Sequence, residues 1–261
     1  MIGTNNILFL IILIITKIQV GNNSEDIYEI EIIKNKILYD YKKGSGAYYI
    51  AYSPFRDDYN RITSYVRLPT FIETNEGKRE GFISFGIQGQ YGYIDMGIMN
   101  SGKGWKPYYN DNEDLISFDD FTSNEEVKYI ALDIEIYSKK NVKFSISFRD
   151  LNKEIINDKR FSITLYCSHI FEGNIEEKPN LRFYRFVSLV NNKDKGVPDN
   201  QKDNTALINA TFADLVIMIN NEGKTWGING PNIEASWKVS PKKIEFSCGV
   251  DFDNFSIIYY D

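Results

Sequence analysis

A single histidine and two cysteines in 261 residues leave little for transition-metal or thiol chemistry. They cannot supply the four nitrogen and sulfur ligands of an ordinary zinc site. No P-loop, dinucleotide fingerprint or nucleophile elbow occurs, so nucleotide chemistry and serine hydrolysis of that type have no anchor. Positive charge is also short: 30 Lys and Arg stand against 36 Asp and Glu, a formal net charge of −6. With the two signs interspersed, nothing draws the surface to a phosphate backbone, and nucleic acid is not an expected partner. Long apolar runs are confined to Ile7–Ile15 (ILFLIILII). Thr16, Lys17 and Gln19 break it before the roughly 20 residues of a membrane span are reached. The run reads as the core of a signal peptide, although its leading segment MIGTNN lacks Lys and Arg. Residues 1–21 are then a leader and 22–261 one secreted domain with no membrane span. An uncleaved anchor is the alternative.

What the chain does have is aromatic and β-branched sequence in short, alternating runs. Hydrophobic residues at 43% and aromatics at 15% suffice for a large core, which excludes general disorder. Gly81–Tyr109 is the most informative stretch. A run ending near Gln88, a turn at Gly89-Gln90 and a run from Tyr91 to Met99 read as a hairpin. Alternation sends Ile94, Met96 and Ile98 to one face and Tyr91, Tyr93 and Asp95 to the other. The Gly-rich turn Ser101–Gly104 then delivers Trp105, Tyr108 and Tyr109 beyond the strand end.

The rest of the chain follows the same pattern. Strands are expected over Ile27–Ile33, Ala47–Ser53, Ile62–Leu68, Val127–Tyr137, Val142–Arg149, Arg160–Ser168 and Leu181–Val190. Ala206–Ile219 is long enough for a helix, but its β-branched content favours a strand. Lys224–Ile228, Ile233–Val239, Ile244–Val250 and Phe255–Tyr260 complete the set. A dozen short runs without an amphipathic helix predict an all-β, antiparallel β-sandwich. The segments FISFGIQG, YIDMGI and GWKPYY, with LINATFADLVIMI and EASWKV, resemble the concanavalin-A-like lectin/glucanase sandwiches, of jelly-roll form. That resemblance implies a sugar-directed function by analogy of fold.

Tyr91, Tyr93 and Asp95, extended by Trp105 and Tyr108, offer rings for a pyranose face and a carboxylate for its hydroxyls. The expectation is a glycan- or polysaccharide-binding, lectin-like protein. A glycan-cleaving hydrolase or lyase is the alternative, and a structural surface or coat protein is a third class. Asp133 and Glu135, two apart on one strand face, are the nearest candidates for paired carboxylates. They depart from the laminarinase-like Glu-x-Asp-x-x-Glu pattern, with the acids exchanged and Ser138 in the third place. No cofactor is expected, apart from calcium at the acidic loop Asn110–Asp114 through Asp111 and Asp114. Cys167 and Cys248 share inward parity with their strands and could form one disulfide, or stay buried thiols. His169, two residues on from Cys167, is expected on the same face of a continuing strand. Sequons at Asn22, Asn209 and Asn254 would accept N-glycans in a suitable host.

Overall fold

The computed structural model describes residues 15–17, 28–30, 47–72, 79–111, 114–138, 140–171, 180–191, 205–226, 234–238, 243–248 and 252–258. In chain order the strands begin with β1 (Ile15–Lys17), β2 (Tyr28–Ile30), β3 (Ala47–Tyr52), β4 (Tyr59–Arg67) and β5 (Thr70–Ile72). Next come β6 (Arg79–Gln88), β7 (Tyr93–Asn100), β8 (Lys106–Asp111), β9 (Asp114–Ser117), β10 (Tyr129–Ser138), β11 (Asn141–Arg149) and β12 (Ile155–Tyr166). The last are β13 (Arg182–Asn191), β14 (Ala206–Ile219), β15 (Glu222–Thr225), β16 (Glu234–Lys238), β17 (Lys243–Cys248) and β18 (Asp253–Ile258). One helical turn, α1 (Ser168–Phe171), follows β12.

Two antiparallel sheets pack as a sandwich, as the alternating pattern predicts. The larger runs β1-β2-β17-β18-β14-β4-β10-β11-β12, with β5 and β15 also on β14; the smaller runs β16-β3-β13-β6-β7-β8-β9. Most of the leader run Ile7–Ile15 lies outside the described residues.

Period-two alternation explains why each strand buries one side. Ile94, Met96 and Ile98 of β7 and Ile83, Phe85 and Ile87 of β6 are fully buried against the other sheet. Opposite them lie Ile130, Leu132 and Ile134 of β10, Phe144 and Phe148 of β11, and Phe212 of β14. Phe85 and Phe212 stack across the sandwich with ring centroids 5.4 Å apart. The β10–β11 hairpin pairs Leu132 with Ile146 and Ile134 with Phe144, so its apolar set shares one face. The ambiguous Ala206–Ile219 run is one long strand; a bulge between Leu207 and Ala210 holds Asn209 at φ 61. Its β-branched residues fit the pleat, and pairing on both sides decides against a helix.

Of the two readings of the cysteines, the structure takes the thiol for Cys167, which is free and buried. It lies just beyond β12, whereas Cys248 ends β17, and five strands of the same sheet lie between. Six strand spacings of about 4.8 Å each separate them across the sheet, against the roughly 7 Å a disulfide allows between Cα atoms. Burial, and then the charge of Asp111, push the Cys167 thiol up to about 12, so it serves as a small hydrophobe.

Candidate active site

Strand register arranges the outer face of the seven-stranded sheet in rows. In one row Tyr52, Tyr184, Gly86, Asp95 and Asn110 lie side by side across β3, β13, β6, β7 and β8. The row on one side holds Arg182, Gln88 and Tyr93; the row on the other holds Phe186, Ser84, Gly97 and Tyr108. Rows are two residues apart along each strand, about 6.8 Å. Beyond the third row, Phe82 and Met99 pack with Tyr108, Phe186 and Val190 into a small apolar cluster.

Asp95 is the chemical centre of this face. The Tyr184 hydroxyl donates to its Oδ1, and the Asn110 side-chain amide donates to Oδ2 at 3.2 Å. Asp95 keeps some exposure, but packing under these neighbours strips water from the carboxyl. That desolvation raises its pKa to about 6, outweighing the two hydrogen bonds, which favour the charged form. The Tyr184 and Tyr108 hydroxyls, also desolvated and near the Asp95 charge, titrate well above the ordinary tyrosine range. They stay protonated donors.

Glycine makes room for the rings. A methyl on Gly86 would fall inside the Tyr184 ring, so this ring lies directly over the β6 backbone. A methyl on Gly97 would collide with the Ile83 carbonyl and with Ser84, whose hydroxyl bonds that of Tyr108. Gly86→Ala is therefore expected to displace Tyr184 from Asp95. An overpacking loss of about 1–3 kcal/mol, read by chemical denaturation, should accompany it. A variant as stable as wild type would show that the ring moves aside freely.

The second row adds a cation. The guanidinium carbon of Arg182 lies 4.0 Å from the Tyr52 ring centroid and 4.7 Å from that of Phe55. Its Nε donates to Gln88 Oε1 at 2.8 Å. Tyr52 in turn sits 5.6 Å, ring to ring, from Tyr184.

The sequence-predicted residues divide sharply. Tyr93 and Asp95 share the outer face as expected. Tyr91 precedes the strand and is 60% exposed. Tyr108 shares the Asp95 face but is 1% exposed, covered by its apolar neighbours. Trp105 belongs to the core, edge-on to Phe71 at 6.2 Å, because the turn swings it inward ahead of β8. Neither Trp105 nor Tyr108 can present a flat platform to a sugar.

Asp133 and Glu135 stand on the outer face of the other sheet. Arg61 holds Asp133 through two hydrogen bonds, with Nε at 2.9 Å from Oδ1, and lies in register with Glu135. A carboxylate so paired on a surface is an ordinary ion pair. The expected acidic loop is a hairpin instead, with Asp111 ending β8 opposite Asp114 of β9. Asp111 turns to His169, whose Nε2 is 2.9 Å from Oδ1 without hydrogen-bond alignment. His169 gets there because the strand stops at Tyr166 and α1 turns away. Among the described residues, no three His, Cys, Asp or Glu side chains gather as a metal site would require. Asn209 is exposed on its bulge, Asn254 accepts a hydrogen bond from Thr211 at 3.0 Å, and Asn22 lies outside the described residues.

No family model and no curated protein matches the chain. Solved structures do. A scytalido-glutamic peptidase bound to a transition-state analogue inhibitor superposes with a TM-score of 0.54 at 11% identity, over 81% of this chain and 98% of the other. A second peptidase, SCP-B of the eqolisin family in complex with the tripeptide Ala-Ile-His, gives 0.50 at 9% identity, with the same coverage. The fold is similar to that of the glutamic peptidases. Identity this low bears on the fold and not on the chemistry. It still overturns the lectin-like reading, whose support was analogy to sugar-binding sandwiches: the neighbours are peptidases. The glycan-cleaving alternative loses its support with it. The sandwich itself stands, with a fold similar to that of the glutamic peptidases; these neighbours do not confirm the narrower concanavalin-A-like assignment.

The site residues missed by sequence are Tyr184, Asn110, Arg182 and Gln88. Parity carried a signal for each: Arg182 and Tyr184 alternate with buried Phe183 and Arg185, and Asn110 is two residues from Tyr108. Only strand order, however, puts β13 beside β6.

Proposed function

We propose that this chain is a peptide-bond hydrolase, exported from the cell, that binds an extended polypeptide across the outer face of the smaller sheet. The carrying observation is Asp95, a carboxyl raised to about 6 and held by Tyr184 and Asn110. Both partners donate to the ionised form, which suits a general base. Ionised Asp95 takes a proton from a water as its oxygen attacks the scissile carbonyl. The tetrahedral intermediate collapses with cleavage of the C–N bond, and Asp95 returns the proton to the departing amine. Asn110 and Tyr184 position the carboxylate throughout. Beside it, half-buried Phe186 offers an apolar contact for a substrate side chain.

The test is digestion of a denatured protein and of synthetic peptides by the purified chain between pH 3 and 8, followed by mass spectrometry. Because the base must be ionised, kcat/KM is expected to rise with pH and level off above about 6. Cleavage that falls through that range instead would assign Asp95 the acid role. A second reading, peptide binding without hydrolysis, is favoured by one fact: both Asp95 oxygens already accept hydrogen bonds. Peptides retained but uncut at every pH would support it. Peptides neither bound nor cut would end both.

A further inference from the structure

We propose that Arg182 is a specificity residue that selects substrates carrying a carboxylate close to the bond held at Asp95; this rests on the peptidase reading of the same face. Arg182 faces outward from the row next to Asp95: it pairs in register with Gln88, which pairs with Tyr93, two residues before Asp95. The rings of Tyr52 and Phe55 lie 4.0 and 4.7 Å from its guanidinium carbon, and Gln88 occupies its Nε at 2.8 Å. Three neighbours thus fix a long side chain that would otherwise lose rotamer freedom on binding.

What it lacks is an anion. Among the described residues no carboxylate pairs with Arg182, whereas Arg56, Arg61 and Arg185 each hold an aspartate. The Nη edge opposite Nε is the one these contacts leave open, and that edge matches a carboxylate in two parallel hydrogen bonds. Adjacent aromatic surface also lowers the local dielectric, which strengthens such a pair. Arg182 lies one row, about 6.8 Å, along the strands and two strands, about 9.6 Å, across them from Asp95, a diagonal of about 12 Å that three to four residues of extended peptide span. A Glu or Asp side chain three or four residues from the one facing Asp95 would reach it, as would a chain-terminal carboxylate at similar range.

Three peptides of otherwise equal sequence separate these sources. One carries Glu near the scissile bond with an amidated terminus. The second carries Gln there, also amidated. The third keeps the Gln and ends in a free carboxylate close by. Wild type is expected to favour a carboxylate peptide over the Gln amide by about 10- to 100-fold in kcat/KM, the range of a charge-assisted hydrogen bond. Which of the two it favours identifies the source. In Arg182→Gln the ratio should fall to near one. Arg182→Lys, with charge but no planar fork, should keep only part of it. Thermal melts establish that each variant is folded; if Arg182→Gln is not, the lysine variant decides, its ratio falling at least threefold. An unchanged ratio in a folded variant, or no preference in wild type, overturns the inference. Binding of the same peptides, fluorescently labelled, is measured in parallel. Selective binding lost in the variants, with nothing cut, would sustain Arg182 while the hydrolase reading fails.

Discussion

Asp95→Asn is expected to abolish peptide hydrolysis and to make the protein more stable at neutral pH. Loss of a general base costs about 10²–10⁴ in rate. The stability gain follows from the same burial that tunes the group. Its pKa is about 6 in the folded chain against 3.8 as the ordinary value, so the folded state binds the proton more tightly than the unfolded one. The stability contributed by protonated Asp95 is therefore complete below about pH 4 and is lost as pH rises through 6. At pH 7 the native state carries the cost of a desolvated charge, at most about 3 kcal/mol by the linkage relation. An amide avoids that cost. It can still accept from Tyr184, and the buried Oδ1 of Asn110, which has no partner among the described residues, is available to receive its N–H after that side chain flips. Denaturation at pH 5 and 7 beside the cleavage assay tests both halves. Wild type should lose stability over that interval while the variant stays level. A variant less stable than wild type at pH 7 would show that Asp95 is held for structure.

This trade of stability for chemistry marks what the sequence could and could not disclose. The alternation of Ile94, Met96 and Ile98 against Tyr93 and Asp95 was legible because a strand buried on one face imposes period two on its residues. The same rule placed the β10–β11 hairpin and most of the other strands. It also picked out Asp95 itself, the centre of the candidate site. It failed at Trp105, which lies beyond a strand end, where the turn and not the pleat sets the side chain's direction. Tyr184, Arg182 and Asn110 were out of reach for a different reason. Tyr184 and Arg182 reach this face through pairing of strands separated by long stretches of chain, and no local pattern encodes that β13 lies against β6. Asn110 sits on β8, the next strand after β7, and its register opposite Asp95 depends on the turn between them. The choice between a bridge and free thiols was out of reach for the same reason: inward parity is necessary for a bridge, but strand order puts five strands of one sheet between β12 and β17.

Removing either partner of the buried pair Arg185–Asp253 should be the most destabilising change on any polar side chain of the core. Both residues are fully buried at inward positions, Arg185 on β13 of one sheet and Asp253 on β18 of the other. Nε of Arg185 meets Oδ2 of Asp253 at 2.5 Å, and its guanidinium carbon lies 4.5 Å from the Trp226 ring centroid. The two Nη atoms are buried with no hydrogen-bond partner among the described residues, so the arginine depends on this one ion pair and one ring for compensation. Asp253→Ala would strand a cation between two apolar sheets. A cost of about 3–5 kcal/mol is the usual result, a large share of a domain's net stability. Arg185→Met leaves the opposite charge buried and should cost a similar amount. The double variant Arg185→Met with Asp253→Leu removes both charges and keeps the volume; it should recover most of the loss and could exceed wild type. A thermodynamic cycle from urea denaturation of the three variants measures the coupling. If each single change costs under about 1 kcal/mol, water reaches the pair and the interior between β13 and β18 is not dry. If the double variant stays as unstable as the singles, the pair is not what holds the sheets in register, and Trp226 and its apolar neighbours carry that role.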